Sequence, residues 1–302
     1  MLNVAILGAG AVGCYFGGML ARAGNHVVLI GRPTHVQAIQ ASGLRLQTLG
    51  FDEQVRVRAS ADVADLRGAS LVLFCVKSMD TEAAALLLRP HLGTDALVLS
   101  LQNGIENVDR LRQLLPQAVR AAVVYVAAEM AGPGHVKHQG RGDLLVEQSA
   151  SDSGWVDAFR AAGVPVELSG DVRQALWVKL IMNCAYNALS AIGQVNYGRL
   201  LAVDSVVELM RVAVRECVAV AQAEGVSVPA DIEATVIALA HSMPDQRSST
   251  AQDLARGRRT EIDHLNGVVV RRGRVHGIPT PVNRALQAVM HLLEEKLGTV
   301  DH

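Results

Sequence analysis

Aromatic side chains are scarce in this chain: two Trp, four Tyr and four Phe amount to 3% of its 302 residues, while half of all residues are apolar. The core must therefore be built from Ala, Val and Leu. An excess of charge of either sign is also missing, since 28 Lys and Arg face 29 Asp and Glu. A net charge of −1 offers no long-range attraction to nucleic acid or to an anionic membrane. Any anionic ligand must be held by local charges. Long apolar runs are lacking as well. The longest unbroken ones, residues 71–76 and 121–128, fall far short of the ~20 residues a bilayer-spanning helix needs. Neither a nucleic-acid partner nor a membrane is expected. Only four cysteines occur, Cys14, Cys75, Cys184 and Cys217, with no C-x-x-C pair and no histidine cluster of metal-site spacing. They read as reduced core cysteines of a cytoplasmic protein, and no metal site is expected. The opening MLNVAILGAG has no basic start and puts glycines where a secretory leader keeps its apolar stretch.

What is present is periodic. Residues 3–7 form a short apolar run that meets glycines, gives way to helical spacing over 12–23, and resumes as a strand at 26–30 after Gly24. That is a β-α-β unit. Further strands are expected at 71–76, 96–101 and 119–127, separated by helical stretches at 61–66, 81–88 and 106–114. Such alternation implies a mainly parallel sheet covered on both faces. Residues 132–147, with Pro133, several glycines and alternating Val136, Leu144 and Val146, predict antiparallel hairpins added at the sheet edge. Beyond residue 170 strand signals cease. Amphipathic helices are predicted at 172–192, 204–224, 230–241, 249–275 and 282–297, the last opened by Thr280-Pro281 and preceded by a stop at Gly277. The expected fold class is α/β, with an N-terminal Rossmann-type domain at 1–170 and an all-helical domain at 171–302.

The strand at 3–7 runs directly into Gly8-Ala9-Gly10-Ala11-Val12-Gly13. Glycines at this spacing let backbone N–H groups and a helix N-terminus approach a pyrophosphate that side chains would hold off. A dinucleotide is the implied ligand. NAD-binding proteins usually carry an Asp or Glu at the end of the second strand to bind the ribose 2′-OH. Here the segment reads Ile30-Gly31-Arg32. A guanidinium grips a 2′-phosphate that a carboxylate would repel, which favours NADPH; a solvated Arg at a strand end is the plain alternative.

In the first helix of the second domain, Lys179, Asn183 and Asn187 recur every four residues among Leu176, Leu180, Ile181, Met182, Cys184 and Leu189. They form a polar stripe on one face of an apolar helix. A ketone receiving hydride needs a proton at its oxygen, and a desolvated Lys can supply it. The same residues equally describe a surface Lys with asparagines capping nearby loops, and the helix alone does not choose. Glu261 is expected on the helix 249–275, where a lone Glu is ordinarily solvated or ion-paired. Asn103-Gly104 and Lys77 follow parallel strands at their carboxyl ends, where open α/β sheets bind ligands. Arg271, Arg272 and Arg274 read as the wet face of a helix.

Taken together, G-A-G-A-V-G at 8–13, Arg32, V-K at 76–77, Q-N-G at 102–104, L-W-V-K-L-I-M-N-C-A-Y-N at 176–187, S-S at 248–249 and T-E-I-D-H-L-N-G at 260–267 resemble the ketopantoate reductase family. The resemblance implies NADPH-dependent reduction of 2-dehydropantoate to (R)-pantoate on the way to pantothenate and coenzyme A. It implies Lys179 as general acid, Glu261 holding the substrate hydroxyl, Asn103 positioning nicotinamide and substrate, and Lys77 beside the cofactor. Asn183, Asn187 and Ser249 would bind substrate. One departure stands out: Tyr197 occupies a place where some members carry a substrate-contacting Asn, with Asn196 one residue earlier. Either the loop shifts by one residue or the pocket differs, so a reductase of another branched or aromatic 2-keto acid is the alternative. A non-catalytic NADPH sensor would lack the acid or the carboxylate, and neither is missing. The active site is expected in the cleft between the domains, and the apolar helix faces of the second could pair two copies into a homodimer.

Overall fold

The computed structural model describes residues 1–149 and 152–298 and divides into two compact units, Met1–Val172 and Arg173–His302. The first is α/β. Strand β1 (Asn3–Leu7) is followed by helix α1 (Ala11–Arg22), strand β2 (His26–Ile30) and helix α2 (Pro33–Ser42). Three short strands come next, β3 (Leu44–Gln47), β4 (Asp52–Val55) and β5 (Arg58–Ser60). Then follow β6 (Leu71–Phe74), α3 (Thr81–Leu88), β7 (Leu97–Ser100), α4 (Asn107–Leu114), β8 (Ala118–Gly132), β9 (His135–Glu147), α5 (Ser153–Ala161) and β10 (Val166–Ser169).

The described strands make one sheet in the order β4-β3-β9-β8-β7-β6-β1-β2-β5, with β10 also against β9. Its central part is parallel: β1 pairs with β2 and β6, β6 with β7, and β7 with the first four residues of β8. Strands covered on both faces cannot alternate polar with apolar residues. Leu71, Val72, Leu73 and Phe74 of β6 are accordingly all buried. Helix α1 is buried along almost its whole length, from Gly13 to Leu20.

The edge of the sheet departs from the sequence expectation. Residues 132–147 form, with β8, a single long antiparallel pair broken by register shifts at Tyr125/Val126, Ala127/Ala128 and Met130/Gly132. Strand β9 is not an edge strand. Its start pairs parallel with β3 and its end parallel with β10. The edge beyond it is the β3–β4 hairpin. These covering strands carry only four residues each, too few for a periodic pattern to stand out. Val136, Leu144 and Val146 are buried as the alternation requires.

The second unit is helical: α6 (Val172–Gly193), α7 (Tyr197–Leu201), α8 (Asp204–Ala223), α9 (Ile232–Ser242), α10 (Ser249–Ala255), α11 (Asn266–His276) and α12 (Pro281–Gly298). Helix α6 is the one described helix long and apolar enough to cross a bilayer, and 56% of that stretch is buried in the structure, as in a core helix. Helix α12 opens at Pro281, and Gly277 closes α11 in the left-handed conformation, both as expected.

The predicted helix over 249–275 does not exist as one element. Gly257, at φ +64°, ends α10 in a left-handed cap: its N–H bonds the Leu254 carbonyl at 3.1 Å and the Arg258 N–H bonds the Asp253 carbonyl at 2.9 Å. These crossed bonds satisfy carbonyls that a continuing helix would have used. Glu261 therefore lies on no α-helix. It stands just before a short 3-10 turn, Ile262–His264, that leads into α11.

Candidate active site

In the first unit the glycine turn is shaped by close contacts. Gly8 has φ +110°, and a Cβ there would lie 2.7 Å from the backbone carbon of Cys75. A Cβ on Gly13 would lie 2.1 Å from the Gly8 carbonyl oxygen and 2.7 Å from Ile6 Cγ2. The N–H groups of Gly8 and Ala9 both donate to the Ile30 carbonyl at 3.0 Å, which ties the turn to the end of β2. The next N–H groups, from Gly10 to Gly13, open α1 and have no acceptor within the helix. Gly10, the N-cap, carries no side-chain cap, and a Cβ on it would meet nothing within 4 Å. Open space thus faces unclaimed donors at the positive end of a helix, which suits a diphosphate. Arg32 is exposed and extended at the N-cap of α2, immediately after the β2 end that this turn grips.

Lys77 and Asn103 follow β6 and β7 and are both partly exposed. A buried hydrogen-bond network joins their loops. Gln102 Nε2 donates to the Val76 carbonyl at 3.2 Å and to Thr81 Oγ1 at 2.7 Å. The Thr81 hydroxyl donates to the Ser78 carbonyl at 2.9 Å. Asn107 Nδ2 donates to Ser78 Oγ at 2.9 Å and to the Asn103 carbonyl at 2.7 Å. Arg110 Nη1 donates to Asn107 Oδ1 at 2.7 Å while its other nitrogens pair with Glu82. Such a network of mutually satisfied groups gives two loops one preferred geometry. Of the residues on these loops, the sequence points to Lys77, Gln102 and Asn103. Ser78, Thr81, Asn107 and Arg110 are ordinary polar residues in helical stretches, and only the fold shows that they converge.

In the second unit, helix α6 carries Lys179, Asn183 and Asn187 one turn apart. Lys179 and Asn183 are partly exposed, whereas Asn187 is buried. Around them Trp177, Leu180, Ile181, Cys184 and Tyr186 are buried. The stripe thus runs along a mainly apolar helix, from partly exposed Lys179 and Asn183 to buried Asn187. Glu261 is also buried, and its turn is held from one side: Thr260 gives its N–H, at 2.7 Å, and its hydroxyl, at 2.5 Å, to Glu294 on α12.

Ser249, the first residue of α10, is exposed, while Ser248 is buried and touches α6. Ser248 Oγ donates to the Asn187 carbonyl at 3.1 Å and accepts the Ala251 N–H at 3.0 Å as an N-cap. The S-S-T-A run before a helix carried that capping signal. Asn196 is likewise a cap, accepting the Arg199 N–H at 3.1 Å, so its amide oxygen is engaged at the start of α7. Tyr197 is buried with its ring centroid 4.4 Å from that of Tyr186. Among the described residues no group of three metal-ligating side chains converges.

Residues 4–151 match the family model described as ketopantoate reductase PanE/ApbA, and residues 171–294 match its C-terminal counterpart. The chain belongs to the ketopantoate reductase family. This makes it an oxidoreductase with a Rossmann-like fold and a pyridine-nucleotide cofactor. Among relatives of the family, the 2-dehydropantoate 2-reductase of Vibrio cholerae is 34% identical over 301 residues, covering 97% of this chain and 98% of that protein. The enzyme of the same name from Halobacterium salinarum is 33% identical over 301 residues, covering 97% and 99%. Among solved structures, a PanE/ApbA family ketopantoate reductase from Ralstonia eutropha JMP134 is 62% identical, with a TM-score of 0.95 over 98% of this chain and 99% of that one. D-mandelate dehydrogenase, solved with NADH and anilino(oxo)acetate, is 27% identical, with a TM-score of 0.91 over 98% and 99%.

Proposed function

We propose that this ketopantoate reductase family member reduces the keto group of 2-dehydropantoate to (R)-pantoate with NADPH, in pantothenate biosynthesis. The single observation that carries the reading is the polar stripe Lys179-Asn183-Asn187, set one turn apart on a mainly apolar helix beside buried Trp177, Leu180, Ile181, Cys184 and Tyr186. A carbonyl that receives hydride at carbon must receive a proton at oxygen. Lys179 donates that proton to the forming alkoxide. The Glu261 carboxylate accepts a hydrogen bond from the substrate hydroxyl and so fixes which face of the keto group is presented. Asn183 and Asn187 orient the keto acid without adding charge, with Ser249 as a further substrate contact.

On the cofactor side, NADPH supplies the hydride when bound. The N–H groups of Gly10 to Gly13 hold its diphosphate, and Gly8 and Ala9 keep the turn closed against β2. Arg32 binds the 2′-phosphate with charge-assisted hydrogen bonds. Asn103 positions the nicotinamide and the substrate, and Lys77 lies beside the cofactor. The reading carries a cytoplasmic location, in keeping with four free cysteines.

A second reading, reduction of another branched or aromatic 2-keto acid, is favoured by two observations. The NADH-bound D-mandelate dehydrogenase superimposes at a TM-score of 0.91. Tyr197, where some relatives carry Asn, is a buried aromatic residue paired with Tyr186. The experiment that separates the readings is NADPH oxidation with a panel of 2-keto acids, for the wild type and for Lys179→Ala. Turnover of 2-dehydropantoate above all others, lost in Lys179→Ala, supports the first. Turnover of another keto acid alone selects the second, and an active Lys179→Ala removes Lys179 from its role.

A further inference from the structure

We propose that Asn266 is a positioning residue, which sets the Glu261 turn against the Lys179-Asn183-Asn187 face of α6 through a relay of amides polarised by the buried carboxylate of Glu216. The inference rests on the functional reading above for the roles of Glu261 and α6. Asn266 is the first residue of α11 and is fully buried, five positions after Glu261. Its Nδ2 donates to the Cys184 carbonyl of α6 at 3.2 Å and to Asn283 Oδ1 at 2.9 Å. Cys184 lies between Asn183 and Asn187 along the helix. The contact therefore ties the chain just beyond Glu261 to the middle of the polar stripe.

The polarity of this contact is set from a distance. Glu216, on α8, can only accept hydrogen bonds as a carboxylate. It takes the Val282 N–H at 2.9 Å on one oxygen, and the Asn283 N–H at 3.0 Å and Asn283 Nδ2 at 2.8 Å on the other. Asn283 must therefore turn its nitrogen to Glu216 and its oxygen to Asn266. Asn266 must then present its nitrogen, and the same nitrogen reaches Cys184. Its Oδ1 is left over, buried and met by no donor among the described residues. Buried amides in native folds are ordinarily satisfied on both sides. An amide held with its oxygen unpaired, so that its nitrogen can bridge two acceptors, is arranged for placement rather than for stability. An apolar side chain of similar size would remove this orphan atom, but it would leave Asn283 Oδ1 with only the Cys217 thiol at 3.8 Å and lose the link between α11 and α6.

The test is a double-mutant cycle measured with NADPH and 2-dehydropantoate on wild type, Asn266→Ala, Glu261→Gln and the double variant. Asn266→Ala should lower kcat about 10- to 100-fold, the range expected when a reacting group is displaced by an ångström. Its NADPH Kd, read by fluorescence, should stay within about twofold, because the cofactor residues lie in the other unit. In the Glu261→Gln background the same substitution should cost less than about threefold, since the group it positions is already gone. An equal loss in both backgrounds, or a kcat within twofold of wild type, overturns the proposal. A Glu261→Gln variant with wild-type kcat would instead show that the functional reading itself is wrong. Should Asn266→Ala fail to fold, Asn266→Ser, whose hydroxyl is too short to bridge both acceptors, goes through the same cycle with the same criteria.

Discussion

Two glycines of the turn, three residues apart, should lose cofactor affinity on the same substitution but differ in what it does to folding. At Gly10 the backbone is ordinary, φ −88°, and a Cβ meets nothing within 4 Å. Gly10→Ala should therefore leave folding nearly intact, at a cost of about 0.5 kcal/mol for a poorer helix N-cap. Its methyl group projects into the open space beside the helix N-terminus, where the diphosphate is to sit, and should raise the NADPH Kd by at least about tenfold, or 1.4 kcal/mol. At Gly13 the Cβ would fall 2.1 Å from the Gly8 carbonyl oxygen and 2.7 Å from Ile6 Cγ2. Backbone on one side and a core strand on the other cannot both give way. Gly13→Ala should cost about 1–3 kcal/mol of stability, the range for overpacked cores, as well as cofactor affinity. For a unit of this size that is a fall in Tm of roughly 2–4 °C per kcal/mol. Thermal melts read stability and the quenching of intrinsic fluorescence on NADPH titration reads affinity. A Gly10→Ala protein that binds NADPH as well as wild type would refute the placement of the diphosphate. A Gly13→Ala protein with an unchanged Tm would refute the packing argument.

Other outcomes follow from single contacts. Arg32→Ala should raise the KM for NADPH at least tenfold while moving that for NADH less than about twofold, because the lost partner is the 2′-phosphate; equal effects would exclude that role. Arg120 and Asp152 form a buried ion pair, with Asp152 also accepting the Trp155 Nε1–H at 3.2 Å. Arg120→Ala should cost about 3–5 kcal/mol in urea unfolding by leaving a carboxylate buried without its cation, and a loss under 1 kcal/mol would mean that water reaches the site. Burial pushes the Cys14 thiol from 9.0 up to about 12, so at pH 8 only about one molecule in 10⁴ carries the thiolate. Cys14 should resist iodoacetamide in the native protein and react once unfolded. Because the unfolded thiol ionises from pH 9.0 while the folded one waits until about 12, this group's contribution to stability should fall as pH rises through that interval.

How much of this was legible in the sequence differs from element to element. Strand β1, the helix after Gly10 and strand β2 were readable because short unbroken apolar runs and a 3.6-residue period meet at glycines whose role is local. The stripe on α6 was readable for the same reason, since residues four apart on a helix must share a face. The helix predicted over 249–275 failed because its apolar period runs on past Gly257, which ends α10 through a cap formed by only two hydrogen bonds. The flanking strands β3 and β10 went unseen because four residues cannot show a period, and they belong to the sheet only through β9.

The linear chain was thus sufficient for what depends on near neighbours: the dinucleotide turn, the family motifs, the α/β character of the first part and the helical character of the second. Tertiary structure alone decided which polar residues act together. The Gln102–Thr81–Asn107 network spans 26 positions and the Glu216–Asn283–Asn266 relay spans 67, and in neither does any spacing along the chain anticipate the meeting. Hydrogen bonds reach about 3 Å, so partners distant in sequence become partners only when packing of apolar faces, which carries no directional information of its own, has brought their backbones together.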